Sequence, residues 1–200
     1  MPIKFLANHN CIVWGNTGSG KTTLILRIIK EKLIEPWPKR IFYMFGVFQN
    51  FMRHHPEITF IEGLDFDKVD TSEPSMLIID DLITENNKEV GNAFIRGSHH
   101  LQISLFYITQ NLFPNCNTFR LMSANSHYII LFNNPRNFRQ VHTLARQIFV
   151  DKKDLARIFN AYKAAGQRHR DFILLSFSPL LPPELTVIGD FFKPCPSVYL

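Results

Sequence analysis

The segment Gly15-Asn16-Thr17-Gly18-Ser19-Gly20-Lys21-Thr22 constrains this chain more than any other stretch. It fills every fixed position of the pattern G-x-x-x-x-G-K-[ST]. The apolar run Cys11-Ile12-Val13-Trp14 precedes it, and a helical pattern from Thr22 to about Leu33 follows. Strand, glycine loop and helix in that order predict a cradle for a phosphate chain. Glycines let the backbone wrap the phosphates without Cβ clashes. The loop N–H groups then converge at a helix N-terminus, where the dipole favours anions. Residues Gly15 to Thr22, with Thr23 beside them, are the expected nucleotide contacts. Lys21 should reach the β- and γ-phosphates of ATP, and the Thr22 hydroxyl should ligate Mg²⁺.

A second anchor is Met76-Leu77-Ile78-Ile79-Asp80-Asp81. A continuous apolar run fits a parallel strand buried on both faces. Its abrupt end in two carboxylates matches the place where open α/β sheets hold ligands. Asp80 is the expected Walker B ligand of Mg²⁺, and Asp81 the candidate to orient or deprotonate the attacking water, with Glu85 as runner-up. A helix N-cap after an ordinary strand is the bland alternative for both aspartates. Leu101–Thr109 reads as another long strand ending in Gln110-Asn111. A polar amide there, on a strand added between the two Walker strands, separates motor-type ATPases from kinases and GTPases.

The remaining chain alternates strand and helix patterns. Strands are expected at 40–45, 58–61, 127–132 and 170–177, and helices at 85–98, 138–148 and 152–164. Residues 46–55 read as a loop or short helix. The fold class is α/β: one P-loop NTPase domain with a mostly parallel central sheet flanked by helices. The domain is expected over 1–180, followed by a proline-rich tail at 181–200 that packs on the body or reaches a neighbouring subunit.

Composition excludes more than it selects. A 46% hydrophobic content is ordinary for a globular chain, and 200 residues suit one such domain. A net charge of +5 is compatible with a polyanionic partner without being a nucleic-acid signature. Cys11, Cys116 and Cys195 offer no C-x-x-C pair, which predicts reduced thiols and no zinc site. No run approaches a membrane span and no signal-peptide pattern is visible, so neither membrane association nor secretion is expected.

Cationic residues concentrate at Arg136, Arg139, Arg146, Lys152, Lys153, Arg157, Lys163, Arg168 and Arg170. Such a region fits a DNA backbone or a solvated helix face equally well. His54-His55 and His99-His100 lack further ligands at metal spacing, and His142 reads as a helix-surface residue. A motor of this kind takes an arginine from the next subunit to neutralise transition-state charge. Arg96 is the first candidate for that finger, then Arg120, Arg136 and Arg139, each with a surface ion pair as its alternative.

Together Gly15–Thr22, Leu77–Asp81, Arg96-Gly-Ser-His-His-Leu-Gln-Ile-Ser and Ile108-Thr-Gln-Asn-Leu-Phe-Pro resemble the viral genome-packaging ATPases of the FtsK–HerA superfamily. That family includes poxvirus-type, virophage and Polinton/adintovirus members, and Asn125-Ser-His-Tyr-Ile-Ile-Leu-Phe-Asn-Asn-Pro-Arg and Leu144-Ala-Arg-Gln-Ile-Phe also resemble it, especially the Polinton-like group. The resemblance runs from about residue 10 to 178. It implies a RecA-like ASCE core and a homo-oligomeric ring, pentamer or hexamer, that drives double-stranded DNA into a preformed capsid through its portal vertex without reading sequence. It implies a virus-encoded protein acting inside the host cell, in the nucleus or a cytoplasmic factory. It places Lys21, Thr22, Asp80, Asp81 and Gln110 on the Walker A, Walker B and polar sensor positions. Asp81 departs from the superfamily's usual Asp-Glu pair. Segments 48–55 and 111–118 are candidates to touch DNA. Two other readings are a nucleotide or small-molecule kinase and a non-catalytic assembly protein stabilised by nucleotide.

Overall fold

The computed structural model describes residues 3–82, 88–100, 102–112, 122–149, 151–167 and 171–200. In chain order these form β1 (Phe5–Leu6), β2 (Asn10–Trp14), α1 (Lys21–Lys30), β3 (Ile34–Glu35), β4 (Arg40–Phe45), β5 (Thr59–Glu62), β6 (Ser75–Asp80), α2 (Lys88–His100), β7 (Ile103–Thr109), β8 (Tyr128–Phe132), α3 (Phe138–Ile148), α4 (Lys152–Ala165), β9 (Phe172–Ser176), β10 (Val187–Gly189) and β11 (Ser197–Val198).

Apolar runs become strands buried on both faces. Every residue of β2, β7 and β8 is buried. Helices must therefore cover both sides of the sheet, and alternation divides the side chains between them. Cys11 and Val13 point toward α1, packing with Leu24, Ile25, Ile28 and Ile29. Ile12 and Trp14 point the other way, into a core with Phe94 of α2, Val141 and Leu144 of α3, and Ile158 and Ala161 of α4.

Among the described residues the main sheet has nine strands in the order β11-β10-β9-β8-β2-β7-β6-β4-β5. The six from β8 to β5 run parallel, while β9, β10 and β11 extend the β8 edge antiparallel. The expected mostly parallel α/β sheet is thus present. β7 lies between β2, which leads into the glycine loop, and β6, which ends at Asp80.

Three local features differ from the sequence pattern. Helix α1 stops at Lys30, short of Leu33: Lys32 turns left-handed at φ 51° and the Leu33 N–H returns to the Ile28 carbonyl at 3.0 Å. This frees Ile34-Glu35 to pair with Phe5-Leu6 in a separate two-stranded sheet. The boundary expected at residue 180 falls inside the nine-stranded sheet, because β10 pairs with β9 from Val187↔Leu175 to Gly189↔Ile173. The strand expected over 170–177 is β9, over Phe172–Ser176.

Val187 and Ile188 are at most 1% exposed, whereas Leu200 is 73% exposed. Ile188→Ala should cost about 2–5 kcal/mol by denaturant unfolding, and Leu200→Ala less than about 0.5 kcal/mol. Equal, small losses would show that the C-terminal segment does not belong to the core.

Candidate nucleotide-binding site

The register of the central strands brings the motifs to one edge. Trp14 pairs with Thr109 and Asp80 with Ile108, so β2, β7 and β6 end side by side. The Gly15 N–H donates to the Thr109 carbonyl at 3.2 Å. The Trp14 indole N–H donates to the Gln110 carbonyl, also at 3.2 Å.

The loop then turns through glycines. Gly18 and Gly20 hold φ of 77° and 107°, which side chains rarely adopt. Gly15 is required for a different reason: a Cβ there would lie 2.6 Å from Ser19 Oγ and 2.8 Å from Phe132 Cβ. Gly20 is the N-cap of α1 and supplies no side-chain cap, and the first turn carries no acid. The helix N-terminus is therefore open to an anion. Ser19 Oγ is buried without a hydrogen-bond partner among the described residues. A cradle that a Cβ would fill, an unpartnered buried hydroxyl and an uncapped helix start all fit a phosphate chain.

Lys21 folds back on this loop, its Nζ donating to the carbonyls of Gly15 at 2.7 Å and Asn16 at 2.8 Å. Burial lowers its pKa, against the opposing pull of the Asp80 and Asp81 carboxylates. Asp80 is its counterpart. Burial raises its pKa, while the Tyr43 hydroxyl, donating to Oδ2 at 2.7 Å, works in the opposite direction. The Thr22 side chain acts on the same hydroxyl, lowering its pKa against the burial that raises it. Thr22 and Asp80 are thus linked through one phenol. A hydroxyl plus one carboxylate suits Mg²⁺, which keeps waters and substrate phosphates for its other positions. Among the described residues no group of three or more His, Cys, Asp or Glu forms a metal cage.

Asp81 adopts φ 53°, left-handed for a non-glycine residue, and its N–H donates to the Ile108 carbonyl at 3.0 Å. Its Oδ2 accepts from Gln110 Nε2 at 2.7 Å, and Gln110 Oε1 accepts from the Thr17 hydroxyl at 2.7 Å. Thr17, Gln110 and Asp81 therefore form one chain across the ends of β2, β7 and β6. Asn16 is held from the other side, its Oδ1 accepting from Nδ2 of the fully buried Asn134 after β8. Thr23, in the first turn of α1, lines a cavity beside the loop.

The structure thus gathers Gly15 to Thr23, Asp80, Asp81 and Gln110. Arg96 lies within α2, but its side chain is outside the described set, and Glu85 and Arg120 lie outside the described residues altogether. Arg136 and Arg139 are exposed just after Asn134. Arg157 is committed elsewhere, donating to the Tyr199 carbonyl and to Asp154, each at 2.9 Å. His142 stacks on Phe159 at 5.3 Å. His55 pairs with Glu57.

Tyr43 and Asn134 were not singled out from the sequence. A tyrosine inside an apolar strand carries one usable signal: its buried hydroxyl needs a partner. Asn133-Asn134-Pro135 reads only as a turn until its contact with Asn16 is seen.

These features define the class: the chain has a P-loop NTPase fold. It is similar to the DNA-packaging ATPase B204 of Sulfolobus Turreted Icosahedral Virus, with a TM-score of 0.56 and 12% identity over 86% of this chain and 93% of that one. It is also similar to the genome packaging NTPase B204 of Sulfolobus turreted icosahedral virus 2 in complex with AMPPCP (TM-score 0.52, 13% identity, 84% and 92% coverage). The AMP complex of that protein gives a TM-score of 0.51 at 14% identity, with the same coverage. At such identities the likeness is one of fold. No protein-family model and no curated protein matches the chain.

Because burial raises the Asp80 pKa in the folded state, its charge opposes folding above that raised value, and the opposition vanishes as pH falls to the ordinary carboxyl range. Metal-free Asp80→Asn should therefore be more stable than the parent at pH 7, with the gap closing as pH falls through that window. Denaturant midpoints measured across pH check this. A gap that widens on acidification would reverse the sign.

Proposed function

We propose that this chain is an ATP-hydrolysing motor of the FtsK–HerA packaging type, working as a homo-oligomeric ring that moves double-stranded DNA into a viral capsid. The observation that carries the reading is the Thr17–Gln110–Asp81 chain. It couples the phosphate loop to the carboxylate that would handle water, through an amide on a strand inserted between the two Walker strands. A kinase of the P-loop class lacks that inserted strand and has no use for the amide.

Each residue has a task that follows from its position. Loop N–H groups and the N-terminus of α1 bind the phosphates. Lys21 exchanges its two loop carbonyls for phosphate oxygens, where its charge is needed. Thr22 and Asp80 would hold Mg²⁺, which when bound neutralises charge on the phosphate oxygens. Asp81 orients the attacking water and accepts its proton, and Gln110 fixes the Asp81 carboxylate. Asp81 is one methylene shorter than glutamate, and Gln110 holds its carboxylate at 2.7 Å. An arginine from the adjacent subunit completes the charge clamp, with Arg96 first, then Arg120, then Arg136 and Arg139.

B204 of Sulfolobus Turreted Icosahedral Virus is a DNA-packaging ATPase, and B204 of Sulfolobus turreted icosahedral virus 2 forms complexes with ATP-gammaS and AMPPCP. The net charge of +5 suits sequence-independent contact with phosphates. On the same edge as Asp80, Val47 and Phe48 are 77% and 52% exposed, with Arg53 over the Phe48 ring at 5.4 Å. This apolar and cationic segment follows β4 and suits a moving contact between subunit and DNA.

Steady-state ATP hydrolysis with and without double-stranded DNA tests the proposal. DNA should raise the rate. Lys21→Ala should lower it about 10²–10³-fold. Gln110→Ala should reduce turnover while leaving ATP affinity within about threefold, the mark of a group that acts on the reaction and not on binding. Doping Arg96→Ala subunits into the parent should depress activity more than dilution if that residue acts across subunits. A rate indifferent to DNA but raised by a nucleoside monophosphate would replace the motor with a kinase.

A further inference from the structure

We infer that the cavity beside the start of α1 is the subsite for the nucleotide's base, and that the C-terminal segment 190–193 builds it. The inference rests on the nucleotide-binding reading above and extends it to a part of the molecule that no motif covers. The cavity measures about 330 Å³, within the range of roughly 300–1,000 Å³ typical of small-molecule sites. Gly20 and Thr23 line it and also belong to the phosphate loop and the first turn of α1. A molecule whose phosphates lie on the loop therefore has its remaining portion at this opening.

The lining suits a flat heterocycle. Phe172, Phe191 and Phe192 contribute aromatic surface, Phe192 meeting Phe172 edge-on at 5.8 Å and Phe191 at 5.2 Å. The Arg27 guanidinium lies 3.6 Å from the Phe192 ring centroid and holds that ring against α1. The polar groups are of both kinds: Thr23, Arg27 and Lys193 can donate, and Asp171 and Asp190 accept. Asp190 is placed by its own neighbours: Oδ1 takes Lys193 Nζ at 2.9 Å and Oδ2 accepts from the Ser197 hydroxyl at 2.8 Å. Asp171 stands on the same wall. Arg27 and Lys193 balance the two carboxylates, so the opening presents no net positive charge to a further phosphate and offers donors and acceptors side by side. An uncharged flat ring with both donors and acceptors on its edge, packed on aromatic faces, is a nucleobase such as adenine.

The backbone explains why this segment arrives there. β10 ends at Gly189, and Asp190 adopts φ 53°, which turns the chain toward α1. Phe191 is then 2% exposed, packed against Phe5 and Phe172. Phe192 is only partly buried, so its replacement leaves the core intact.

Calorimetric titration of the full chain with ATP and with inorganic tripolyphosphate, both with Mg²⁺, separates base from phosphate. The parent should bind ATP more tightly than tripolyphosphate. Phe192→Ala should weaken ATP by about tenfold or more while leaving tripolyphosphate unchanged. Lys21→Ala should weaken both. Unchanged ATP affinity in Phe192→Ala, or equal affinity of the parent for the two ligands, would place the base elsewhere and overturn the inference. Parallel weakening of both ligands in Phe192→Ala would overturn it as well, by showing a structural role. A parent that binds neither ligand would instead defeat the nucleotide reading, and this subsite with it.

Discussion

The parallel register of β2, β7 and β6 is the constraint on which the site depends. A slip of one residue reverses the face of every side chain in a strand. In β6 the apolar run Met76–Ile79 would tolerate either face, since both are buried. Its charged end would not. Drawing Asp80 and Asp81 inward would desolvate two carboxylates, a cost of several kcal/mol each without a partner. The aspartates therefore stop the strand where Asp80 meets Ile108, and the same β7 fixes Trp14 at Thr109. The residues proposed to serve chemistry also set the alignment that brings them together.

That arrangement is electrostatically frugal. Burial works against the charge of Lys21 and against that of Asp80, and each raises the other's preference for being ionised. Tyr43 supports Asp80 and contacts Thr22, so one phenol orients both expected metal ligands. Gln110 spends its donor on Asp81 and its acceptor on Thr17. An amide is the side chain suited to this post, having one of each. A glutamate there would repel Asp81, and a lysine could not accept from Thr17. The identity at position 110 thus follows from its two neighbours.

How legible each part was depends on whether its cause is local. The loop could be read because glycines at 18 and 20 answer to their own backbone angles, and Asp80 because a carboxylate ending an apolar run needs a cation. Gln110 needed only the order of strands. Tyr43 was hidden because its role exists only once β4 lies beside β6, with Phe45 opposite Asp80. Asn134 was hidden because its partner, Asn16, is 118 residues away. The end of α1 was misjudged because Leu33 keeps the helical period while its burial is satisfied in a turn. The C-terminal strands are three and two residues long, too short for any period to show, and prolines around them argue for irregular chain.

Those short strands nevertheless govern how α1 is held. The Tyr199 N–H donates to the Val187 carbonyl at 3.0 Å, and Arg157 of α4 donates to the Tyr199 carbonyl. Gly189 permits this clasp, since a Cβ there would lie 3.0 Å from the Tyr199 ring. The clasp sets where the chain leaves β10 and so where Phe191 lands, 5.0 Å from the ring of Phe5 in β1. Phe5 in turn packs edge-on to Phe106 and Tyr128 of the central strands. Segments from opposite ends of the sequence thus close over the same sheet face as α1, and Arg27 ties that helix to Phe192. The phosphate loop hangs between β2 and α1. Its geometry depends on the edge furthest from the Walker motifs in sequence, which is why an antiparallel extension of the sheet belongs to the same machine as its parallel core.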